Sequence, residues 1–186
     1  MELLEVFQKY FVPVPEDSNR INSGLCKKCA GRCCSNLGCH ISPDDLKEIT
    51  IDSIINLIDE SNVISIDWWE GDPVTEDATG DRVYFLRIKN EDAKTIDPAF
   101  GGHRCGILTE NGCPLPFSYR PKGARDLIPV PGDCECKDQY SKQQCCIDWM
   151  KHQDVLSAVY EHYNIIGDVT INIYTLLGRV LGGGLF

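Results

Sequence analysis

The chain has 186 residues, 42% of them hydrophobic, which is enough for a core that holds one domain together unaided. Its formal charge of −10, from 18 Lys+Arg against 28 Asp+Glu, repels phosphate backbones and anionic headgroups, and no basic cluster offsets it. Nucleic acid and membrane surfaces are therefore not expected as partners.

The first eleven residues place Leu3, Leu4, Phe7, Tyr10 and Phe11 on one helical face, and Pro13 and Pro15 forbid continuation. The opening Met1-Glu2-Leu3-Leu4-Glu5 lacks a basic region ahead of an apolar one, so no secretion signal is expected. Ser42 as N-cap, Pro43 at the first helical position, Asp45 as the capping-box carboxylate and Ile41 stapling onto Leu46 predict a helix start. Ile51, Ile54, Ile55 and Ile58 carry a helical stripe as core positions of a second short helix after Thr50. Ile64, Ile66 and Trp68 alternate with polar residues, and Val83–Ile88 is β-branched and aromatic, which predicts two paired strands. Asn111-Gly112 is the signal of a tight hairpin turn that would set Cys105 opposite Cys113. From Asn111 to Asp133 the prolines 114, 116, 121, 129 and 131 predict an extended loop. Trp149, Leu156, Val159, Tyr160 and Tyr163 predict a last amphipathic helix from about Ile147 to His162. The tail from Val169 to Phe186 fits strand and helix equally, and Thr170, Asn172 and Arg179 break it, so it is not expected to span a membrane.

Eleven cysteines in a chain long enough for an ordinary core have some other task. Without a secretion signal the expected compartment is the reducing cytosol, where cysteine clusters bind metal or do redox chemistry. The densest group is Cys26-Lys-Lys-Cys29-Ala-Gly-Arg-Cys33-Cys34, followed by Cys39-His40. A CxxC pair can converge on one ion from a tight turn. On a regular helix, however, Cys26 and Cys33 would stand about 10 Å apart along the axis, too far for Zn–S bonds of about 2.3 Å to one ion. Adjacent Cys33 and Cys34 diverge and seldom chelate one small ion together. Either Gly31 wraps the segment around one centre, or the thiolates serve a polynuclear cluster or two ions. Cys105 and Cys113, then Cys134 and Cys136, then Cys145-Cys146 form a remote second set, so metal binding is expected to close the fold.

Cys26 to Cys34, Ile41-Ser42-Pro43-Asp44-Asp45-Leu46, Cys105-Gly-Ile-Leu through Gly112-Cys113-Pro-Leu, and Arg120-Pro121 through Arg125-Asp-Leu-Ile-Pro129 occur in an order that resembles the YkgJ-type cysteine-cluster family, a group associated with zinc or iron chelation. The resemblance covers about residues 20–135. It implies ligands at Cys26, Cys29, Cys33, Cys34, Cys105 and Cys113, and a further cysteine between the Arg-Pro and Arg…Pro elements. Ala124 stands there in this chain, so Cys134, Cys136, Cys145 or Cys146 would have to compensate.

The expected fold is a small single α+β domain over residues 1–186. It has short helices, a small antiparallel sheet or hairpins, and long Pro- and Cys-rich loops organised around metal, with a helical extension over 147–186. The expected ligands are Cys26, Cys29, Cys33, Cys34, Cys105, Cys113, Cys134, Cys136 and Cys145. His40 and His103, beside cysteines, are read as hydrogen-bonded or surface residues. Arg120 and Arg125 either offset thiolate charge, bind an anion, or pair with Asp126 or Asp133. Soft thiolates select iron–sulfur or zinc over magnesium or calcium, and six or more of them, two adjacent, favour an iron–sulfur cluster. The expected function is a cytoplasmic cysteine-cluster protein with a redox or accessory role, acting with a partner protein or redox enzyme. The alternatives are a metal-dependent enzyme with an open coordination position, or a zinc-stabilised interaction module.

Overall fold

The computed structural model describes residues 2–16, 39–77, 80–89, 105–129, 136–137 and 140–164. Helix α1 (Leu3–Tyr10) is closed at its start by a Glu2/Glu5 capping box and stops before Pro13. Its buried side is Val6 and Phe7, continued by Phe11, whose ring stacks on Phe7 at 4.4 Å. Leu4 is 37% exposed, because the helix turns Val6 rather than Leu4 inward.

Strand β1 (Cys39–Ile41) was not foreseen. Three residues are too few to show alternation, and only pairing with a longer partner makes them a strand. The Ser42 box then forms as expected: Ser42 Oγ accepts from Asp44 N, and Asp45 Oδ2 accepts from Ser42 N at 2.9 Å. The helix it was expected to open is a single 3-10 turn (Pro43–Asp45) that ends at Leu46. Asp45 does more than cap, because its carboxylate also holds partners far along the chain. Helix α2 (Ile51–Ser61) is capped by Thr50 Oγ1 and closed by Asn62 in the left-handed region at φ 56°. It buries Ile54, Leu57 and Ile58, whereas Ile51, in the first turn, is 43% exposed.

Strands β2 (Ile64–Glu70) and β3 (Arg82–Ile88) pair antiparallel as the sequence pattern predicts, Ile64 opposite Ile88 and Trp68 opposite Tyr84. β1 adds to the other side of β3, Cys39 opposite Ile88, so the sheet order is β1-β3-β2. This register puts Ile41, Ile64, Ile66, Leu86 and Ile88 on one face, within a core shared with Phe7, Ile54, Leu57 and Ile58. The other face carries His40, Ser65, Asp67, Phe85 and Arg87. There Arg87 Nη1 and Asp67 Oδ2 form a buried ion pair at 2.8 Å.

The proline-rich stretch is not simply extended: Phe117–Tyr119 form a 3-10 turn, Lys122–Arg125 a short helix α3, and Ile128–Pro129 a strand β4 paired with β5 (Cys136–Lys137). Pro116 and Pro121 sit directly ahead of the 3-10 turn and of α3, where a fixed φ and a missing N–H cost nothing. The last helical region starts earlier than expected. Ser141 caps α4 (Lys142–Trp149), so Cys145 and Cys146 lie inside a helix instead of ahead of one. A 3-10 turn (Met150–His152) leads into α5, helical over 153–164. Lys142 sits over the Phe85 ring at 5.4 Å and His40 Nδ1 meets Tyr140 O at 3.3 Å, so α4 covers the polar face of the sheet. Trp149, fully buried, donates from Nε1 to Ile41 O at 2.7 Å. Beyond the end of β1, the backbone of Tyr84 is met by a side chain: Gln153 Oε1 accepts from Tyr84 N and Nε2 donates to Tyr84 O, both at 2.8 Å. The architecture is that of a small α+β fold. Among the described residues no helix is long and apolar enough to cross a membrane.

α3 sits on β1 with no room to spare. A Cβ built on Gly123 would lie 2.6 Å from His40 O and 2.7 Å from His40 N, both main-chain atoms that cannot swing aside. Gly123→Ala is therefore expected to lower unfolding free energy by about 3 kcal/mol in urea denaturation.

Candidate metal centre

The close seat of α3 determines what surrounds Cys39. β1 points its sulfur into the core at 3% exposure, and the Ala124 backbone, brought down by Gly123, hydrogen-bonds it. Cys105 and Cys113 bracket the turn that follows. Leu108 N donates to Cys105 O, and Thr109 and Gly112 exchange backbone hydrogen bonds at 3.1 Å. The turn differs from the expected Asn-Gly hairpin. Gly112 alone of that pair has a positive φ, 94°, and the bridge is Thr109 to Gly112, so Cys105 and Cys113 meet by chain reversal and not as a cross-strand pair.

Cys39, from β1, and Cys105 and Cys113, from one turn, are thus near enough that their charges oppose one another. Burial pushes all three thiols up, Cys105 to about 11. Facing Cys105, Cys113 and Asp45 add to the rise at Cys39, while Arg120, against the Cys113 sulfur, works the other way. Cys39 was not among the expected ligands. The signal that would have found it, pairing with β3, is not local.

Cys145 lies apart from this group. Its Sγ meets Ile41 O at 3.5 Å from inside α4, and burial next to Cys146 raises it well above the ordinary thiol value. Cys146, pushed up to about 12 by burial, lies on the other sheet face near Asp67 and Lys142. Cys136 is placed by its backbone in β5. Cys26, Cys29, Cys33, Cys34 and Cys134, with His103, lie outside the described residues. Among the described residues the five placed cysteines are free, and no three His, Cys, Asp or Glu side chains are arranged to hold a metal ion.

The arginines are placed by the structure. Arg125 pairs with Asp45 at 2.9 Å rather than with Asp126, which Lys122 takes instead. Arg120 Nε donates to Leu115 O at 2.9 Å, and its positive charge opposes the rise that burial imposes on the Cys113 thiol. Asp45 Oδ2 accepts from Lys122 N at 2.8 Å in addition to Ser42 N. Burial raises its carboxyl, and Arg125 and the two N–H donors oppose that rise.

Buried sulfur is the donor type that soft cations prefer, and Arg120 acts on Cys113 and Arg87 on Cys105, but the described side chains are not arranged in threes around a common point. High thiol values also mean that these sulfurs are poor nucleophiles at neutral pH unless a metal displaces their protons. The chain matches no protein-family model, no curated protein and no solved structure, so the resemblance to the YkgJ-type family stands on its four ordered elements alone.

His40 is held by its Nδ1 contact to Tyr140 O, and burial, with Arg87 close by, lowers it to about 4 from 6.5. Between those values the unfolded chain takes up a proton that the folded chain refuses, so stability falls as pH drops from 6.5 to about 4 and this contribution is flat below that. Across that window, wild type is expected to lose on the order of 3 kcal/mol more than His40→Gln in urea unfolding.

Proposed function

We propose that this protein binds an iron–sulfur cluster, or zinc, through a cysteine cluster, and serves a redox or accessory role beside a partner protein in the cytoplasm. The observation that carries this reading is that Cys39 lies near enough to the turn bracketed by Cys105 and Cys113 for their charges to act on it. Val14 N donates to Ser118 O at 2.9 Å, and Cys39 sits beside Ala124. Cys34 is five residues from Cys39, so its Cα lies within about 18 Å of it even on a fully extended chain.

Cys26, Cys29, Cys33 and Cys34, with Cys105 and Cys113, are the proposed ligands; Cys134, Cys136 and Cys145 are the further sulfurs from which the position at Ala124 would be made up. Thiolates in that number suit a polynuclear cluster better than one tetrahedral ion, which is why iron–sulfur is favoured over zinc.

Anaerobically purified protein is expected to be brown, with a charge-transfer band at about 400 nm and acid-labile sulfide equal to its iron. Colourless protein with zinc alone would select the zinc-stabilised module. Cys33→Ser and Cys105→Ser are expected to lose at least half of the bound metal, and His152→Ala none, by elemental analysis. Full metal content in both cysteine variants would refute the assignment.

A further inference from the structure

Where β2 ends and β3 begins, the apolar sheet face runs out into a cluster of aromatic and charged side chains. The strand register sets Trp68 opposite Tyr84 and Glu70 opposite Arg82, so all four stand on one face of the sheet. Tyr160 of α5 closes the group: its ring stacks on Tyr84 at 4.7 Å and meets Trp68 edge-on at 5.9 Å. These rings hold a cation. The Arg82 guanidinium carbon lies 4.6 Å from the centre of the Trp68 ring, and Nη1 donates to the Tyr160 hydroxyl at 3.3 Å. An indole face with acceptors at its rim matches a planar guanidinium in shape and charge.

The cage is held together without Arg82. Trp68 is 7% exposed, its indole N–H donates to Glu70 Oε1 at 3.0 Å, and its backbone N–H donates to Asp67 Oδ1 at 2.8 Å. Tyr160 is fixed by its stack on Tyr84. Arg82 is the loosest member: its Nε stands 3.6 Å from Glu70 Oε1, beyond hydrogen-bond reach, and the two side chains are 41% and 58% exposed. Aromatic rings and a carboxylate are thus fixed around a position whose occupant is weakly held.

We propose that this cage binds an arginine side chain of a partner polypeptide, and that Arg82 is its resident stand-in, displaced when the partner's guanidinium enters. The ligand class follows from the walls: the indole face attracts a delocalised cation, Glu70 supplies the opposite charge, and the Tyr160 hydroxyl accepts an N–H. The formal charge of −10 favours the approach of a basic partner. Breaking an exposed ion pair and an exposed cation–π contact costs little, so displacing Arg82 lowers affinity only about tenfold. None of the cysteines takes part, so the site is independent of the metal-binding reading.

The test titrates full-length protein with the capped tripeptide acetyl-Gly-Arg-Gly-amide and follows the indole N–H resonance of Trp68, whose bond to Glu70 makes it sensitive to the cage. In Arg82→Ala that resonance is expected to shift saturably with a dissociation constant on the order of 1 mM, and in wild type with one about tenfold higher. The Trp149 indole, bonded to Ile41 O, is expected not to move. The citrulline counterpart, which has the same shape and no charge, is expected to give no response. Adding Glu70→Gln to Arg82→Ala is expected to weaken binding of the arginine peptide about fivefold. Absence of a saturable shift in Arg82→Ala would overturn the proposal and leave Arg82 a surface brace. An equal response to the citrulline or the lysine counterpart would overturn it as well, since the cage would then not be reading a guanidinium. If Arg82→Ala does not fold, the wild-type titration decides by the same criteria.

Discussion

A buried carboxylate with three donors joins two parts of this chain that would otherwise have no reason to meet. Asp45 closes the turn after β1 and, with the same two oxygens, holds the start and the end of α3. Desolvating a carboxylate costs several kcal/mol, and only a full set of donors offsets that cost. The geometry is therefore specified tightly: with α3 displaced, Asp45 would be buried and unanswered. Gly123 is the steric counterpart of this electrostatic demand, because only a residue without Cβ allows the helix to come close enough to the His40 backbone for the donors to reach. The placement of Cys39 beneath Ala124 and of Arg120 beside Cys113 both depend on this docking.

Much of the framework was legible because its signals are local. Pro13 stops α1, Thr50 opens α2, and the alternation of Ile64, Ile66 and Trp68 marks β2. The Ser42/Asp45 box was read correctly as a cap, yet what it caps is one turn, since the Asp45 carboxylate serves a tertiary role that no window of sequence displays. β1 escaped notice because three residues owe their extended state to β3. The start of α4 escaped because Lys142-Gln143-Gln144 shows no apolar stripe, and the side it buries is made of Cys145, Cys146 and Trp149. The sequence singled out Cys105 and Cys113 but not Cys39, which comes near them through the pairing of β1 with β3. The exposed Ile51 and Leu4 show the same limit from the other side: a helical stripe gives the buried direction only to within one residue.

The thiol surroundings have a thermodynamic consequence. Sulfurs kept protonated by burial release protons when a metal binds, so occupancy would rise steeply with pH, and each bond would repay part of the cost of burying a thiolate. The same burial makes these thiols resistant to oxidants, because thiols held above their ordinary range supply little thiolate. Among the described residues Arg120 is the positive charge that acts on Cys113, and it opposes the effect of burial there.

Gln153 closes the part of β3 that β1 is too short to cover, and it does so with a primary amide that copies the donor and acceptor of a neighbouring strand. A side chain anchored on a helix cannot slide along the sheet, so it leaves no backbone template there on which another copy of the chain could stack. Sheet growth is terminated at Tyr84 by one glutamine, and resistance to edge-to-edge aggregation there is thereby written into α5, the helix that follows the one covering the polar face.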